Sequence, residues 1–286
     1  MFEKSSSPLA SIRDVLVGAT AEGQRQEASS AVGYGVTLAK AAGAHLTVRS
    51  SSWHLSGDDV WLSKLDYEGK EVDYRRLDAL AHSIADSAAG GIEQADVMCA
   101  IEAPSLSHSD VVNQLAAQAR LHDLTILDAG PRTFDLDRKT IEKALFLSGR
   151  PVIAVPPGYA AFATQRVVVA WDGSAQAARA ANDAMPFLRA AEAVKIVAVG
   201  EEEEIQGSPL GAELAPHLAR HGVNVTVNDT SVSGGVADTL RAEAALFLAD
   251  MIVMGAYHHS RVQEYFFGGV TRSLLARSAI PLFLAH

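Results

Sequence analysis

Three segments in the C-terminal part of the sequence combine residue types that are suited to binding an anionic ligand. Trp171, Asp172, a glycine and a serine directly follow the β-branched run 166–170, and four glutamates at 201–204 follow a second such run. A glycine-containing loop, 255–271, opens onto the last helical stretch. Ligands of open parallel sheets bind at the carboxyl ends of strands, and the free N–H groups at a helix start stabilise phosphate. The pattern therefore predicts a phosphate-binding site at this edge of a sheet.

The elements that would carry these segments occur twice in the chain. Short β-branched runs bounded by small residues are typical of strands buried on both faces, and Ala-rich helical stretches separate them. The matching runs are 14–18 and 166–170, 44–48 and 194–199, 121–127 and 248–254, and 150–155 and 280–285. Alternation of strands and helices favours parallel sheets with helices on both faces. We therefore predict an α/β fold of two doubly wound parallel-sheet domains, which superpose strand for strand and do not share one continuous sheet.

A proline pair and a glycine at 156–158 mark the boundary between the two copies, because they end a strand and cannot continue a helix. The predicted domains are 1–160, the first half, and 161–286, the second half. The first half also carries a polar, aromatic-containing stretch, 53–74, after its second strand.

Length and composition exclude several classes of protein. The 286 residues are 48% hydrophobic and 20% charged, which is ordinary for a chain with a packed core. The net charge of −10 lacks the basic field that nucleic-acid binding needs, so we expect no nucleic-acid partner. A polar start and the lack of a long apolar run predict neither a signal peptide nor a membrane contact. The single cysteine, Cys99, fits a reducing, cytoplasmic setting, and its apolar neighbours predict a buried thiol.

The duplication, the Val-Ala-Trp-Asp-Gly-Ser run at 169–174 and the closing stretch 250–284 resemble a tandem universal stress protein. The resemblance covers nearly the whole chain and implies a stress-response function. It implies five-stranded parallel units of the adenine nucleotide alpha hydrolase-like fold, whose last strands pair antiparallel so that the halves form a pseudo-dimer, and it implies self-association. Some family members bind ATP through a Gly-x2-Gly-x9-Gly-Ser/Thr loop and an aspartate after the first strand. Others lack the loop and bind no nucleotide.

The loop pattern of that family is partly retained in the second half. Gly255 and Gly268 stand at the first and third glycine positions, whereas His258 stands at the second and Gly269 at the Ser/Thr position. A hydroxyl follows at Thr271. His258 puts a ring where a glycine would let the backbone approach phosphate, although a neutral imidazole can still donate a hydrogen bond. The alternative is that these glycines only shape a tight loop.

The resemblance implies a site for ATP or another adenine nucleotide. The acidic run 201–204 is most simply a solvated loop, and the alternative is that it holds magnesium beside the phosphates. The predicted cofactor-binding residues are Asp172, Gly255, His258, Gly268, Gly269 and Thr271. The first half departs further from the pattern: Thr20 stands near the position of Asp172, and the loop 128–133 has no glycine triplet and contains a proline. We expect no nucleotide there, and a structural role as a built-in partner for the second half.

Three functions are compatible with these observations. The leading one is a stress-response binding module that senses an adenine nucleotide. The second is an interaction or chaperone-like protein that binds an unidentified protein partner and no nucleotide. The third is a slow ATP hydrolase, but no nucleophile motif accompanies the histidines at 258–259, so we expect no catalytic residue and no enzyme activity.

A metal centre is a further alternative that the spacing of three side chains raises. Glu213, His217 and His221 are four residues apart, as zinc ligands on one helix face would be. Pro216 interrupts that helix, so we expect no metal site.

Overall fold

Strands alternate with helices through both halves of the chain, as the repeated pattern predicts. The structure, a computed structural model, describes residues 7–20, 29–54, 74–129, 135–200, 210–232, 234–256 and 269–286. The strands of the first half are β1 (Asp14–Thr20), β2 (His45–His54), β3 (Cys99–Glu102), β4 (Ser105–Ser107), β5 (Leu124–Asp128) and β6 (Val152–Val155). The helices of the first half are α1 (Ser30–Ala42), α2 (Tyr74–Ala95), α3 (His108–Ala119) and α4 (Asp135–Ser148), after a 3-10 turn at Pro8–Ser11.

The second half repeats this order in a more compact form. Its strands are β7 (Arg166–Trp171), β8 (Ala193–Gly200), β9 (Val225–Ser231), β10 (Met251–Gly255) and β11 (Leu282–Ala285). Its helices are α5 (Ala175–Asp183), α6 (Met185–Ala190), α7 (Ala215–Arg220), α8 (Val236–Phe247) and α9 (Gly269–Arg277), with a 3-10 turn at Leu210–Glu213.

The strands of each half pair in the order of a doubly wound sheet. In the first half β3, β2, β1, β5 and β6 lie side by side in parallel, and the short β4 extends the pairing of β2. In the second half β9, β8, β7, β10 and β11 repeat that order, again in parallel. The predicted fold class, two five-stranded doubly wound units, is therefore confirmed.

The two half-sheets are joined edge to edge by their last strands. β6 and β11 pair antiparallel, with Leu282 opposite Ala154, Phe283 opposite Ile153 and Leu284 opposite Val152. The predicted pairing of these two edges within one chain is confirmed. The expectation that the halves would not share one continuous sheet is wrong, because this pairing makes a single eleven-stranded sheet of the described strands.

The core is continuous across this junction. Every residue of β6 and of β11 is buried, which their apolar sequences Val-Ile-Ala-Val and Leu-Phe-Leu-Ala favour. Phe283 packs its ring against Phe187 of α6, with ring centroids 5.6 Å apart. One apolar cluster therefore contains residues of both halves on the same face of the sheet.

Exposure at the outer strand differs from the sequence-based expectation. Cys99 is exposed, so the prediction of a buried thiol is wrong. The reason is that β3 is the outermost strand on its side of the sheet and most of its residues are exposed.

Among the described residues, no helix is both long enough and apolar enough to cross a bilayer.

The connection between β6 and β7, which contains the predicted domain boundary at residue 160, is held against α1. The N–H of Gly158 donates to Ser30 Oγ at 3.0 Å, and the N–H of Phe162 donates to Thr37 Oγ1 at 2.8 Å. These two hydrogen bonds lie two helical turns apart along α1. The connection therefore follows the helix instead of crossing open solvent.

The hydroxyl of Tyr34 is buried where this connection meets α1. The Tyr34 ring contacts Tyr159 and Phe162, at centroid distances of 6.3 and 5.6 Å. Within the described part of the chain its hydroxyl has no hydrogen-bond partner. Burial, with smaller contributions from Tyr159 and Asp250, raises the pKa of Tyr34 well above its ordinary value. The neutral hydroxyl is therefore strongly favoured in the folded protein.

The apolar junction between the halves should be a major source of stability. Leu284 is 0% exposed in β11, whereas Leu246 on α8 is 77% exposed. We expect Leu284→Ala to lower the free energy of unfolding by about 2–5 kcal/mol, because it leaves a cavity, and Leu246→Ala to change it by about 0.5 kcal/mol or less. Urea denaturation of both variants checks this. Similar values for the two variants would contradict a packed junction.

Removing the Tyr34 hydroxyl should stabilise the protein. An unpaired buried hydroxyl costs about 1–3 kcal/mol, so we expect Tyr34→Phe to raise the free energy of unfolding at pH 7.5 by about 1 kcal/mol. Because the folded-state pKa is raised, ionisation in the unfolded state makes the wild type lose stability as the pH rises above about 10, and Tyr34→Phe should lose less.

At pH 7.5, Tyr159→Phe is the matched control for this prediction. The Tyr159 hydroxyl donates to the carbonyl oxygen of Asp250 at 3.3 Å, so its removal should cost about 0.5–1.5 kcal/mol. Urea denaturation at pH 7.5 and 10.5 measures both effects. A loss of stability in Tyr34→Phe at pH 7.5 would refute the assignment of an unpaired hydroxyl.

Candidate functional site

In the second half, strand order reverses between β7 and β10. β7 has β8 on one side and β10 on the other, with Val169 paired to Val253. Asp172 directly follows β7, and Gly255 is the last residue of β10. The structure thus brings these two predicted residues together at the carboxyl edge, as their places after neighbouring parallel strands require.

Asp172 is held in a tight turn that starts α5. The N–H of Ser174 donates to Asp172 Oδ1 at 2.9 Å, and Gly173 between them has a φ of 73°, a conformation that a side chain disfavours. Ser174 caps the helix, since its Oγ accepts the N–H of Ala177 at 3.0 Å. The Asp172 side chain remains exposed. It is therefore fixed in position and still accessible to a ligand.

Gly255 packs against the start of α5 with no room for a side chain. A Cβ at this position would lie 2.6 Å from the backbone nitrogen of Ala177 and 2.6 Å from the carbonyl carbon of Gln176. Real Cβ atoms essentially never show such distances. The glycine at the first position of the loop pattern is therefore required here by the close approach of a helix.

The far end of the loop is the start of α9. Gly269 is its first residue and is exposed, with open space around it. Thr271 in the same turn is 3% exposed, so a ligand would reach its hydroxyl only after repacking. His258, Gly268 and the glutamates at 201–204 lie outside the described residues.

The first half places a carboxylate where the second half has the loop glycine. Asp128 ends β5 as Gly255 ends β10. Its Oδ2 accepts the hydroxyl of Ser29 at 2.6 Å and its Oδ1 accepts the N–H of Ala31 at 2.9 Å. Ser29 is the N-cap of α1, as Ser174 is the N-cap of α5. The start of α1 is therefore already neutralised by an internal anion.

The described residues beside Asp128 enclose a small pocket. A pocket between β1, β5 and α4 is lined by Gly18, Thr20, Leu127, Asp128 and Thr140 and has space for about one water molecule. Asp128 and Ser29 meet at this edge of the sheet, and the sequence-based reasoning did not single them out. The signal was present, because aligning 121–127 with 248–254 already puts Asp128 opposite Gly255.

The three side chains considered for zinc do not gather around a common point. In the described residues, no group of three or more His, Cys, Asp or Glu side chains is placed to hold a metal ion. The rings of His217 and His221 instead contact each other at a centroid distance of 4.8 Å, and His217 Nε2 lies 3.3 Å from Asn182 Oδ1.

The close approach at Gly255 can be tested against the open position at Gly269. We expect Gly255→Ala to lower the free energy of unfolding by about 1–3 kcal/mol, because the methyl group forces α5 outward. Gly269→Ala adds the same methyl group into open space and should be neutral or stabilise by up to about 1 kcal/mol. Thermal or urea unfolding measures the difference. If both variants changed equally, Gly255 would not be a contact point for α5.

Comparisons with known proteins agree with this geometry. Residues 163–286 match the sequence model of the Universal stress protein family. A universal stress protein from Archaeoglobus fulgidus DSM 4304 aligns with 95% of this chain and 96% of its own, at 18% identity and a TM-score of 0.69. A functionally unknown protein from Pseudomonas aeruginosa PAO1 aligns with 98% of this chain and 94% of its own, at 13% identity and a TM-score of 0.57.

A shorter structure aligns with only part of the chain. It is a universal stress protein in complex with cAMP, and the alignment covers 44% of this chain and 98% of that protein, at 23% identity and a TM-score of 0.38. No curated protein matches the sequence. The match to the universal stress protein family model is limited to residues 163–286, and the chain as a whole shares the fold of a solved universal stress protein.

Proposed function

We propose that the second half binds an adenine nucleotide such as ATP and that the protein is a nucleotide-binding module of the stress response. The observation that carries the proposal is the placement of Asp172 and Gly269. Both residues are exposed, and they follow β7 and β10, the strands on either side of the point where strand order reverses. Ligands of doubly wound sheets bind at this point.

The two residues offer complementary contacts to a nucleotide. The Asp172 carboxylate can accept hydrogen bonds from the amino group of the base or from ribose hydroxyls. The first N–H groups of α9 have no partner within the helix and can donate to phosphate oxygens. Each charge-assisted hydrogen bond contributes about 1.5–3 kcal/mol, and micromolar affinity requires about 8 kcal/mol in total. A few such contacts are therefore enough for binding in the micromolar to millimolar range.

The first half is expected to bind no nucleotide, which gives one site per chain. The Asp128 carboxylate stands at the end of β5, where the second half has Gly255, and would repel a phosphate at this edge of the sheet. The adjoining pocket has space for about one water molecule only. The first half then acts as a structural partner of the second, through the β6–β11 junction.

Substitution of Gly269 tests the site without disturbing the fold. The position has open space, and a carboxylate at a helix start favours the helix by about 0.3–1 kcal/mol. We expect Gly269→Asp to weaken ATP binding about tenfold or more, because its charge takes the place of phosphate. Gly269→Ser is the matched control, and it should bind as tightly as wild type or more tightly because it restores the hydroxyl of the family pattern.

Isothermal titration calorimetry with ATP and magnesium, and separately with cAMP, measures the affinity and the number of sites. One site per chain is expected, and two sites would refute the role given to Asp128. Equal affinity of wild type and Gly269→Asp would place the site elsewhere. Lack of binding at millimolar ATP would favour the interaction protein, and phosphate release from ATP in the same samples would favour the slow hydrolase.

A further inference from the structure

The end of α4, in the first half, contacts the second half beside the proposed nucleotide site. The ring of Phe146 lies edge-on to His286, with centroids 4.5 Å apart and an interplanar angle of 72°. His286 follows β11 and contacts the backbone of Ala256, since its Nδ1 lies 2.9 Å from the Ala256 carbonyl oxygen. A carbonyl only accepts, so Nδ1 carries the proton.

Ala256 directly follows β10 and is the first residue of the loop outside that strand. Its N–H donates to the carbonyl oxygen of Ala285 at 2.8 Å, and its carbonyl accepts from His286. The two backbone groups of Ala256 are thus bound to the last residue of β11 and to His286, which follows it. Phe146 contacts His286 from the first half. The chain of contacts runs from α4 through one imidazole ring to the root of the loop.

A second contact joins the same end of α4 to α5. Arg179 Nη2 donates to the carbonyl oxygen of Gly149 at 2.8 Å, and its Nε pairs with Asp183 at 2.7 Å. The start of α5 packs against Gly255 and carries the turn that holds Asp172. Residues 146–149 therefore contact α5 directly, through Arg179, and reach Ala256 indirectly, through His286.

We propose that the end of α4 is a positioning element for the site of the second half, with Phe146 and Arg179 as positioning residues. This inference rests on the proposed function for its ligand. The retained first half, which lacks a site of its own, then contributes to binding by fixing Ala256 and α5 relative to each other. Neither Phe146 nor Arg179 is required to touch the nucleotide.

The experiment compares Phe146→Ala and Arg179→Ala with two matched controls. Leu147→Ala alters the next residue of α4, which is 49% exposed against 44% for Phe146. Arg189→Ala removes an exposed arginine of α6. Hydrogen exchange of the ligand-free protein reports on residues 174–178 and 254–256, and calorimetry reports on ATP affinity.

We expect exchange at Ala256 to rise about three- to tenfold in Phe146→Ala, and exchange at the start of α5 to rise similarly in Arg179→Ala. ATP affinity should fall about three- to tenfold in both variants, while both controls stay within about twofold of wild type. Phe146→Tyr retains the ring and should restore both readouts, which a general loss of stability would not explain.

Two results would overturn the inference. Unchanged exchange at both segments would show that α4 does not hold them, whatever happens to ATP. Faster exchange with unchanged ATP affinity would show that their position does not matter for binding. If the wild type binds no ATP, the proposed nucleotide function fails, and the exchange data alone decide whether α4 holds these segments.

Discussion

The antiparallel pairing of β6 with β11 is the constraint on which the remainder of the structure depends. Each half ends on a short, fully apolar strand, and such an edge cannot face water without exposing unpaired backbone groups and buried-type side chains. Pairing the two edges removes both costs at once. It also fixes the position of the first half, because α4 immediately precedes β6. The contacts of α4 with His286 and Arg179 follow from that placement.

One backbone position distinguishes the two halves chemically. Where β10 ends in Gly255, the helix start comes so close that no side chain fits. Where β5 ends in Asp128, the helix start is bound by that side chain. The first N–H groups of a helix require an acceptor. At α1 the carboxylate of Asp128 and the hydroxyl of Ser29 supply it, whereas at α5 the hydroxyl of Ser174 supplies it without a carboxylate from the neighbouring strand end.

Much of the fold could be predicted from the sequence, because fully buried strands have a strong signal and the repeat supplies it twice. The antiparallel pairing of the last strands, β6 and β11, was also expected. That this pairing merges the two half-sheets into one continuous sheet was not, because it depends on how the halves lie in three dimensions. Cys99 was misjudged because an apolar run does not reveal whether its strand is central or outermost. For the candidate site, Asp172 and Gly255 could be selected from the sequence because each stands at the carboxyl end of a predicted strand. Asp128 was missed because the search was for the glycines of the loop pattern and did not consider which residue stands in the first half at the position of Gly255.

The hydrogen bonds that hold residues 158 and 162 along α1 affect how chains can assemble. A short, fastened connection keeps the β6 and β11 edges at an effective concentration on the order of millimolar, so each edge meets its own partner before that of another molecule. Exchange of halves between chains is thereby disfavoured. Among the described strands, β3 and β9 are the outermost. Assembly of several copies through sheet edges would have to extend the sheet at those ends, which would produce open-ended or paired ribbons and leave the inner junction intact.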